Sequence, residues 1–309
     1  MRALAHFLLV LGASFTALSA APQRQDEGRP TFSIEAHLVT LSVTVVDRQG
    51  AFVRGLTREQ FKVYDNGRLQ PIDFFTNEDI PATVGLVIDC SSSMRGRRAQ
   101  VTAAGTGFAA VSHPLDEFFI MNFNEVVWPG LAPRVPFTRS VDELREALAG
   151  APALGMTALY DAVHRSLEHL ELATRDRRVL VIVSDGGDNA SSHTFDDVVA
   201  YARQTRTVIY AVMLYDEDDR EAKPHVLKAL ARETGGGAFR PKSARDMMKV
   251  FTQIALEIRS GYTIGVSPPS GSDQEFRGVR VIVDDVDHRQ LTARTRRGYD
   301  AGHAAGQSR

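Results

Sequence analysis

Three short polar segments of the chain carry side chains of the kind that bind hard divalent cations. The first, Asp89-Cys-Ser-Ser-Ser93, directly follows the apolar stretch 83–88. Asp89 offers a charged oxygen, and the hydroxyl groups of Ser91 and Ser93 offer neutral oxygens. Mg²⁺ prefers oxygen ligands in octahedral geometry and keeps some of its water molecules. Because Asp and Ser are also common in loops, this segment alone is a weak signal.

Two later segments have the same character. Residues 155–163 form a glycine-containing turn that leads into a helix and carries Thr157. Residues 179–184 form a second apolar strand, which runs into the acidic, glycine-rich loop that begins at Asp185. Any one segment could simply supply helix caps and turn residues. Three such segments in order favour a metal site instead.

In this combination the chain resembles the von Willebrand factor type A domain with its metal-ion-dependent adhesion site. That site has the pattern Asp-x-Ser-x-Ser, then a Thr, then an Asp after a later strand. The five matching positions are Asp89, Ser91, Ser93, Thr157 and Asp185. The resemblance covers residues 80–262.

The resemblance implies a role for each of these residues. Ser91 and Ser93 would coordinate Mg²⁺ (or Mn²⁺ or Ca²⁺) directly, and Thr157 would do so directly or through water. Asp89 and Asp185 would act mostly through water. An open metal position would then accept an Asp or Glu carboxylate from a protein partner. The expected function is a non-enzymatic, metal-dependent protein-binding module of the adhesion type.

Two other functions are weighed against this one. A metal-assisted hydrolase is possible in principle, since an open Mg²⁺ can assist hydrolysis. The sequence, however, contains no Gly-x-Ser-x-Gly, His-Glu-x-x-His or phosphate-loop motif. The other alternative is a scaffold subunit of a larger envelope complex. A domain kept only as a scaffold would not need all five positions of the site.

Composition is that of an ordinary globular protein. The 309 residues carry a formal net charge of −2, with 24% charged and 43% hydrophobic residues. This charge balance gives no indication of nucleic-acid binding. Cys90 is the only cysteine, which excludes an intramolecular disulfide. We interpret it as a small buried hydrophobic residue.

The N-terminus has the outline of a secretory signal peptide, residues 1–21. Arg2 precedes an apolar stretch at 3–18, and small residues follow it. The stretch is short and interrupted, so we predict no membrane span after signal cleavage. We expect export to the periplasm or the cell exterior. Residues 22–30 are predicted to be a linker and 300–309 a flexible tail.

The remaining chain divides by its hydrophobic pattern. Residues 31–79, the N-terminal β segment, contain an alternating strand at 38–46 and a hairpin around Asp65-Asn-Gly67, with its strands predicted at 61–64 and 69–75. In 80–262, strands alternate with helices, which predicts a Rossmann-like, doubly wound, mainly parallel α/β sheet. Strands are predicted at 83–88, 117–123, 126–128, 179–184, 207–214 and 237–240, and helices at 95–112, 140–149, 157–173, 195–204, 223–234 and 244–259.

The β pattern returns in residues 263–299, the C-terminal β segment. Small isolated sheets are only marginally stable. We therefore predict that the two β segments form one β-sandwich-like module, into which the α/β domain is inserted. This layout resembles secreted von Willebrand factor A-related proteins of Acidobacteria, which have segments similar to 55–67 and 295–299 here.

Overall fold

The computed structural model describes residues 38–268, 276–284 and 290–300. The predicted signal peptide and linker, the start of the N-terminal β segment and all of the predicted tail except Asp300 lie outside these residues. The strands are β1 (Val39–Val46), β2 (Phe61–Asp65), β3 (Arg68–Gln70), β4 (Phe74–Thr76), β5 (Ala82–Asp89), β6 (Glu117–Phe123), β7 (Val127–Pro129), β8 (Arg177–Ser184), β9 (Val208–Met213), β10 (Ala238–Phe239), β11 (Tyr262–Val266), β12 (Phe276–Val283), β13 (Thr292–Arg294) and β14 (Gly298–Asp300). The helices are α1 (Arg98–Val111), α2 (Val141–Ala149), α3 (Leu159–His169), α4 (Phe195–Gln204), α5 (Pro224–Thr234) and α6 (Ala244–Ser260).

The central sheet has six strands in the order β10-β9-β8-β5-β6-β7. All neighbouring pairs are parallel except β6–β7. Helices α1, α2 and α6 pack on one face, and α3, α4 and α5 pack on the other. Every residue of β5 is buried because helices cover both faces of the sheet. The predicted doubly wound, mainly parallel α/β fold is therefore confirmed.

The helix that follows β5 starts differently from the prediction. A helix was expected from residue 95, but the chain first forms a 3₁₀ turn at Ser92–Arg97, and α1 begins only at Arg98. Likewise, α3 begins at Leu159 rather than at 157, and its last turn, Leu170–Leu172, is 3₁₀. Such turns are frequent at helix ends. As a result, Ser93 lies within the first of these turns, and Thr157 lies in the loop before α3.

The two terminal β segments form two four-stranded antiparallel sheets. Their strand orders are β13-β1-β11-β4 and β14-β12-β2-β3, so each sheet mixes strands from both ends of the chain. One shared core lies between them, made by Val39, Leu41, Val43, Val45, Phe61, Val63, Tyr262, Ile264, Val266, Val281, Val283 and Tyr299. This confirms the predicted β-sandwich-like module, and the α/β domain is inserted between β4 and β11.

Two details of the β segments differ from the prediction. Residues 69–75 were expected to form one strand, but β3 ends at Gln70 and β4 begins at Phe74. Pro71 lies in the break, and proline cannot donate a ladder hydrogen bond. Asp300 was assigned to the flexible tail, yet it pairs with Phe276 as part of β14.

Tyr262 links the start of the C-terminal segment to the N-terminal one. Its buried hydroxyl donates to the carbonyl of Val53 (3.0 Å) and accepts the N–H of Leu56 (3.1 Å). We expect Tyr262→Phe to lower the free energy of unfolding by about 1–3 kcal/mol, because both main-chain groups lose a buried partner. Urea unfolding measures this. Tyr64→Phe is the control, and an equal effect of both substitutions would contradict the assignment.

Candidate metal site at the carboxyl edge of the central sheet

Two neighbouring strands bring the predicted acidic residues together. β5 ends at Asp89, and Asp185 is the first residue after β8. The two strands pair in parallel up to Ile88 opposite Val183. Both carboxylates therefore lie at the carboxyl edge of the sheet, where open α/β sheets bind ligands.

Asp89 is completely buried and both of its carboxylate oxygens are used. Oδ1 accepts the N–H of Ser91 (2.8 Å), and Oδ2 accepts the hydroxyl of Ser184 (2.7 Å). Burial, assisted by the nearby charge of Asp185, raises the pKa of Asp89 to about 6 against the opposing effect of these hydrogen bonds. Asp89 thus fixes the main chain of the loop that follows β5 and places an acidic group at the base of this loop.

The hydroxyl groups of the first segment connect to the second carboxylate. The Ser93 hydroxyl donates to Oδ2 of Asp185 (2.8 Å), and the hydroxyl oxygens of Ser91 and Ser93 are 3.1 Å apart. Oδ1 of Asp185 accepts the N–H of Gly187 (2.8 Å). Four of the five predicted residues therefore belong to one hydrogen-bonded network.

The fifth residue, Thr157, lies in the loop before α3 and is positioned through its main chain. Its N–H donates to Oδ1 of Asn189 (2.9 Å), and its carbonyl accepts the N–H of Asn189 (2.9 Å). Two residues earlier, the N–H of Gly155 donates to the Ser92 hydroxyl (3.1 Å). The Thr157 loop is thus bonded to both other loops of the predicted site.

Gly155 is required by the geometry of this loop. Its φ is +90°, and a Cβ atom there would lie 1.8 Å from Oε2 of Glu125. That oxygen accepts the N–H of Met156 (2.9 Å), so the carboxylate of Glu125 occupies the space beside the glycine. A side chain at 155 would displace it and shift the Thr157 loop.

Three residues outside the predicted set of five support the candidate ligands. Ser184 holds Asp89, Glu125 holds the loop at Met156, and Asn189 holds Thr157. The only sequence signal for Ser184 is a hydroxyl residue at the end of an otherwise apolar strand. Asn189 is expected to form a turn, and its additional bond to Thr157 depends on a contact 32 residues away.

The donor set fits a hard cation. It consists only of oxygens, from two carboxylates and three hydroxyls, as Mg²⁺, Mn²⁺ and Ca²⁺ prefer. Within the ranges that the structure describes, there is no group of three or more His, Cys, Asp or Glu side chains that could hold a metal ion by themselves. A cation at this edge would therefore depend on the serine and threonine hydroxyls as well as on the carboxylates.

Cys90, inside the first segment, is not exposed to solvent. It is fully buried, as predicted, and burial raises the pKa of its thiol to about 11, although the charge of Arg98 opposes this shift. The thiol is accordingly protonated at neutral pH, a poor state for a nucleophile or metal ligand.

Comparison with known proteins agrees with this architecture. Residues 84–187 match the family model of the von Willebrand factor type A domain, so the chain contains a domain of this type. This match spans β5 to the loop that follows β8, the part of the chain that carries all five candidate ligands. No curated protein sequence matches the chain.

A solved structure with a TM-score above 0.5 shows the same fold at low identity, and a second is similar with a lower score. A von Willebrand factor type A protein from Catenulispora acidiphila is 11% identical, with a TM-score of 0.51 over 85% of this chain and 73% of that one. The vWF domain of a type V pili tip protein from Porphyromonas gingivalis is 14% identical, with a TM-score of 0.48 over 58% of this chain and 96% of that one. At these identities the likeness concerns the fold alone. The narrower resemblance to secreted proteins of Acidobacteria stays a prediction.

Proposed function

We propose that the chain is an exported, non-enzymatic module that binds protein partners through a divalent metal ion at the carboxyl edge of the central sheet. The observation that carries this proposal is the hydrogen-bonded network of Asp89, Ser91, Ser93 and Asp185, to which the Thr157 loop is attached. This network and the attached loop support a site in which residues from three separate segments would offer only oxygen ligands.

The residues would divide the work between holding and orienting. Ser91, Ser93 and Thr157 would hold Mg²⁺, Mn²⁺ or Ca²⁺, while the two carboxylates orient the hydroxyls and supply charge. When bound, the ion would offer an electrophilic position to an Asp or Glu side chain of the partner. Such a charge-assisted contact contributes specificity more than bulk affinity.

Exposed apolar side chains beside the site would supply further contact area. Val126, Leu154 and Met156 are 60%, 49% and 53% exposed. They lie on the two loops that Asn124 joins by donating its side-chain N–H to the carbonyl of Leu154 (3.1 Å). Apolar anchors around a central polar contact are typical of protein interfaces. We therefore expect the partner's acidic residue to be flanked by hydrophobic residues.

Export is proposed from the sequence of residues 1–21, which lie outside the described part of the chain. In the part that is described, no helix has both the length and the apolar character needed to cross a bilayer.

Calorimetric titration of the purified chain with Mg²⁺, Mn²⁺ and Ca²⁺ tests the metal site. We expect one cation per chain. Binding to immobilised peptides that contain Asp or Glu among apolar residues then tests recognition, with Asn and Gln versions as matched controls. Binding should require the carboxylate and disappear with EDTA. Binding that is indifferent to EDTA would place the recognition surface elsewhere.

A further inference from the structure

A large cleft lies at the opposite edge of the α/β domain, where this domain meets the sandwich. Its volume is about 1230 Å³. One wall is formed by the first residues of β8 and β9 and by the end of α4, and the other by β1, β4 and β11. It therefore faces the amino ends of the parallel strands and is separate from the candidate metal site.

Among the described residues, five arginines and four acidic residues line this cleft, and the acidic ones are Glu78, Glu171, Asp176 and Glu233. The arginines differ in how they are paired. Arg203 forms an ion pair with Glu233 (2.8 Å), and Arg177 donates to the main-chain carbonyl of Ile258. Arg296 donates to the main-chain carbonyl of Thr40 (3.0 Å). Within the described ranges, neither Arg296 nor the remaining lining arginines, Arg178 and Arg206, have a carboxylate within ion-pair distance.

Arg206 and Arg296 are two lining arginines without an ion-pair partner whose charges act on each other. Burial and the positive charge of Arg206 together lower the pKa of Arg296 to about 10, against weaker opposition from Tyr299 and Asp300. The Nε atom of Arg296 is buried without a hydrogen-bond partner among the described residues. Two neighbouring guanidinium groups that lack a directly paired carboxylate are unfavourable unless an anion joins them.

The backbone at Arg206 supports a role for its side chain. Arg206 follows α4 with φ of +55°, a left-handed conformation in which glycine is the usual residue after a helix. Its side chain is exposed and lines the cleft. An arginine is therefore placed at a strained position where it can reach a ligand.

The opposite wall offers hydroxyl groups to the same space. Thr40 and Ser42 of β1 and Thr263 of β11 lie on the face of their sheet that points away from the sandwich core, and all three line the cleft. Guanidinium and hydroxyl donors together match the acceptor oxygens of carboxylate and phosphate groups.

We propose that this cleft is a second binding site, which takes a ligand bearing carboxylate or phosphate groups and holds it between Arg206 and Arg296. The group could belong to a small polyanion or to the acidic side chains of an extended peptide. Either source presents the same oxygens to the two guanidinium groups.

Arg206→Gly tests the proposal without endangering the fold, because glycine suits the left-handed backbone. Arg134→Gly is the matched control. Arg134 is also an exposed arginine at positive φ (+69°), and it does not line the cleft. Citrate, inorganic phosphate and a hexaglutamate peptide are titrated calorimetrically into each purified chain. Divalent cations are removed from each chain beforehand with EDTA, and the EDTA is then dialysed away, so that neither the candidate metal site nor the chelator's own carboxylates contribute.

We expect at least one probe to bind the wild type and Arg134→Gly equally, and to bind Arg206→Gly at least ~10-fold more weakly. The melting temperature of Arg206→Gly without ligand should stay within about 2 °C of the wild type. Binding of hexaglutamate alone would identify an acidic chain as the ligand, and binding of citrate or phosphate a small oxyanion. The proposal is overturned if no probe binds, if Arg206→Gly binds as the wild type does, or if both variants weaken binding equally.

Discussion

Replacing Asp89 with alanine should weaken Mg²⁺ binding by about 100-fold or more, while the protein stays folded. Outer-shell carboxylates of metal sites typically contribute 10–100-fold to affinity. Asp89 also fixes the loop that carries Ser91 and accepts the hydroxyl of Ser184. Its removal therefore takes away both charge and order. Calorimetric titration with Mg²⁺ measures the affinity, and circular dichroism confirms the fold.

Asp116→Ala is a closely matched control for this substitution. Asp116 is buried like Asp89 and accepts two main-chain N–H groups, from Ala82 (2.7 Å) and His113 (2.9 Å). It contacts the first residue of β5, at the edge remote from the candidate site. Both variants should lose stability because buried donors lose their acceptor. Only Asp89→Ala should lose metal affinity. An equal loss of affinity in both variants would contradict the assignment of Asp89 to the metal site.

Replacing Glu257 with alanine should reduce the free energy of unfolding by about 3–5 kcal/mol. Glu257 of α6 is almost fully buried and accepts from Arg294 of β13 (2.5 Å) and from Gln253 (3.0 Å). Burial raises the pKa of Glu257, and the charge of Arg294 opposes that shift. The substitution leaves Arg294 buried without its carboxylate, at the junction of the α/β domain with the sandwich.

The double variant Glu257→Met/Arg294→Met removes both charges at once. Its free energy of unfolding therefore shows what the intact pair contributes, without the penalty of leaving one buried charge unpaired. Apolar residues of similar volume often replace a buried ion pair without loss. We expect the double variant to be within about 1 kcal/mol of the wild type in urea unfolding. Asp142→Ala breaks the exposed pair with Arg145 and should change stability by less than about 1 kcal/mol. A double variant no more stable than Glu257→Ala would contradict this account.

The sequence predicts the order and type of the elements well, because the signals are strong and local. The apolar strands β5 and β8 and the amphipathic helices lie within a few residues of their predicted positions. The turn at Asn66-Gly67 has φ of +45° and +79°, as the Asp-Asn-Gly hairpin signal requires. The break at Pro71 could also have been predicted, since proline interrupts a strand for a local reason.

The remaining features depend on contacts between distant residues. The bond from Ser184 to Asp89 spans 95 positions, and the one from Arg296 to Thr40 spans 256. No local pattern indicates such pairs, since each residue alone is an ordinary polar residue near a strand end. For this reason the five candidate ligands follow from a motif, whereas their supports and the arginine-lined cleft do not.

The position of the inserted domain has a consequence for the order of events during synthesis. Among the described strands, β1 pairs with β11 and β13, and β2 pairs with β12 in addition to its own hairpin partner β3. During synthesis, β1 and β2 therefore lack most of their partner strands until some 200 further residues have left the ribosome or the export channel. Unpaired strand edges promote aggregation.

The α/β domain, once folded, brings Thr76 opposite Thr263 and so replaces a long flexible loop with a compact connector. We therefore expect the inserted domain to fold before the sandwich is completed.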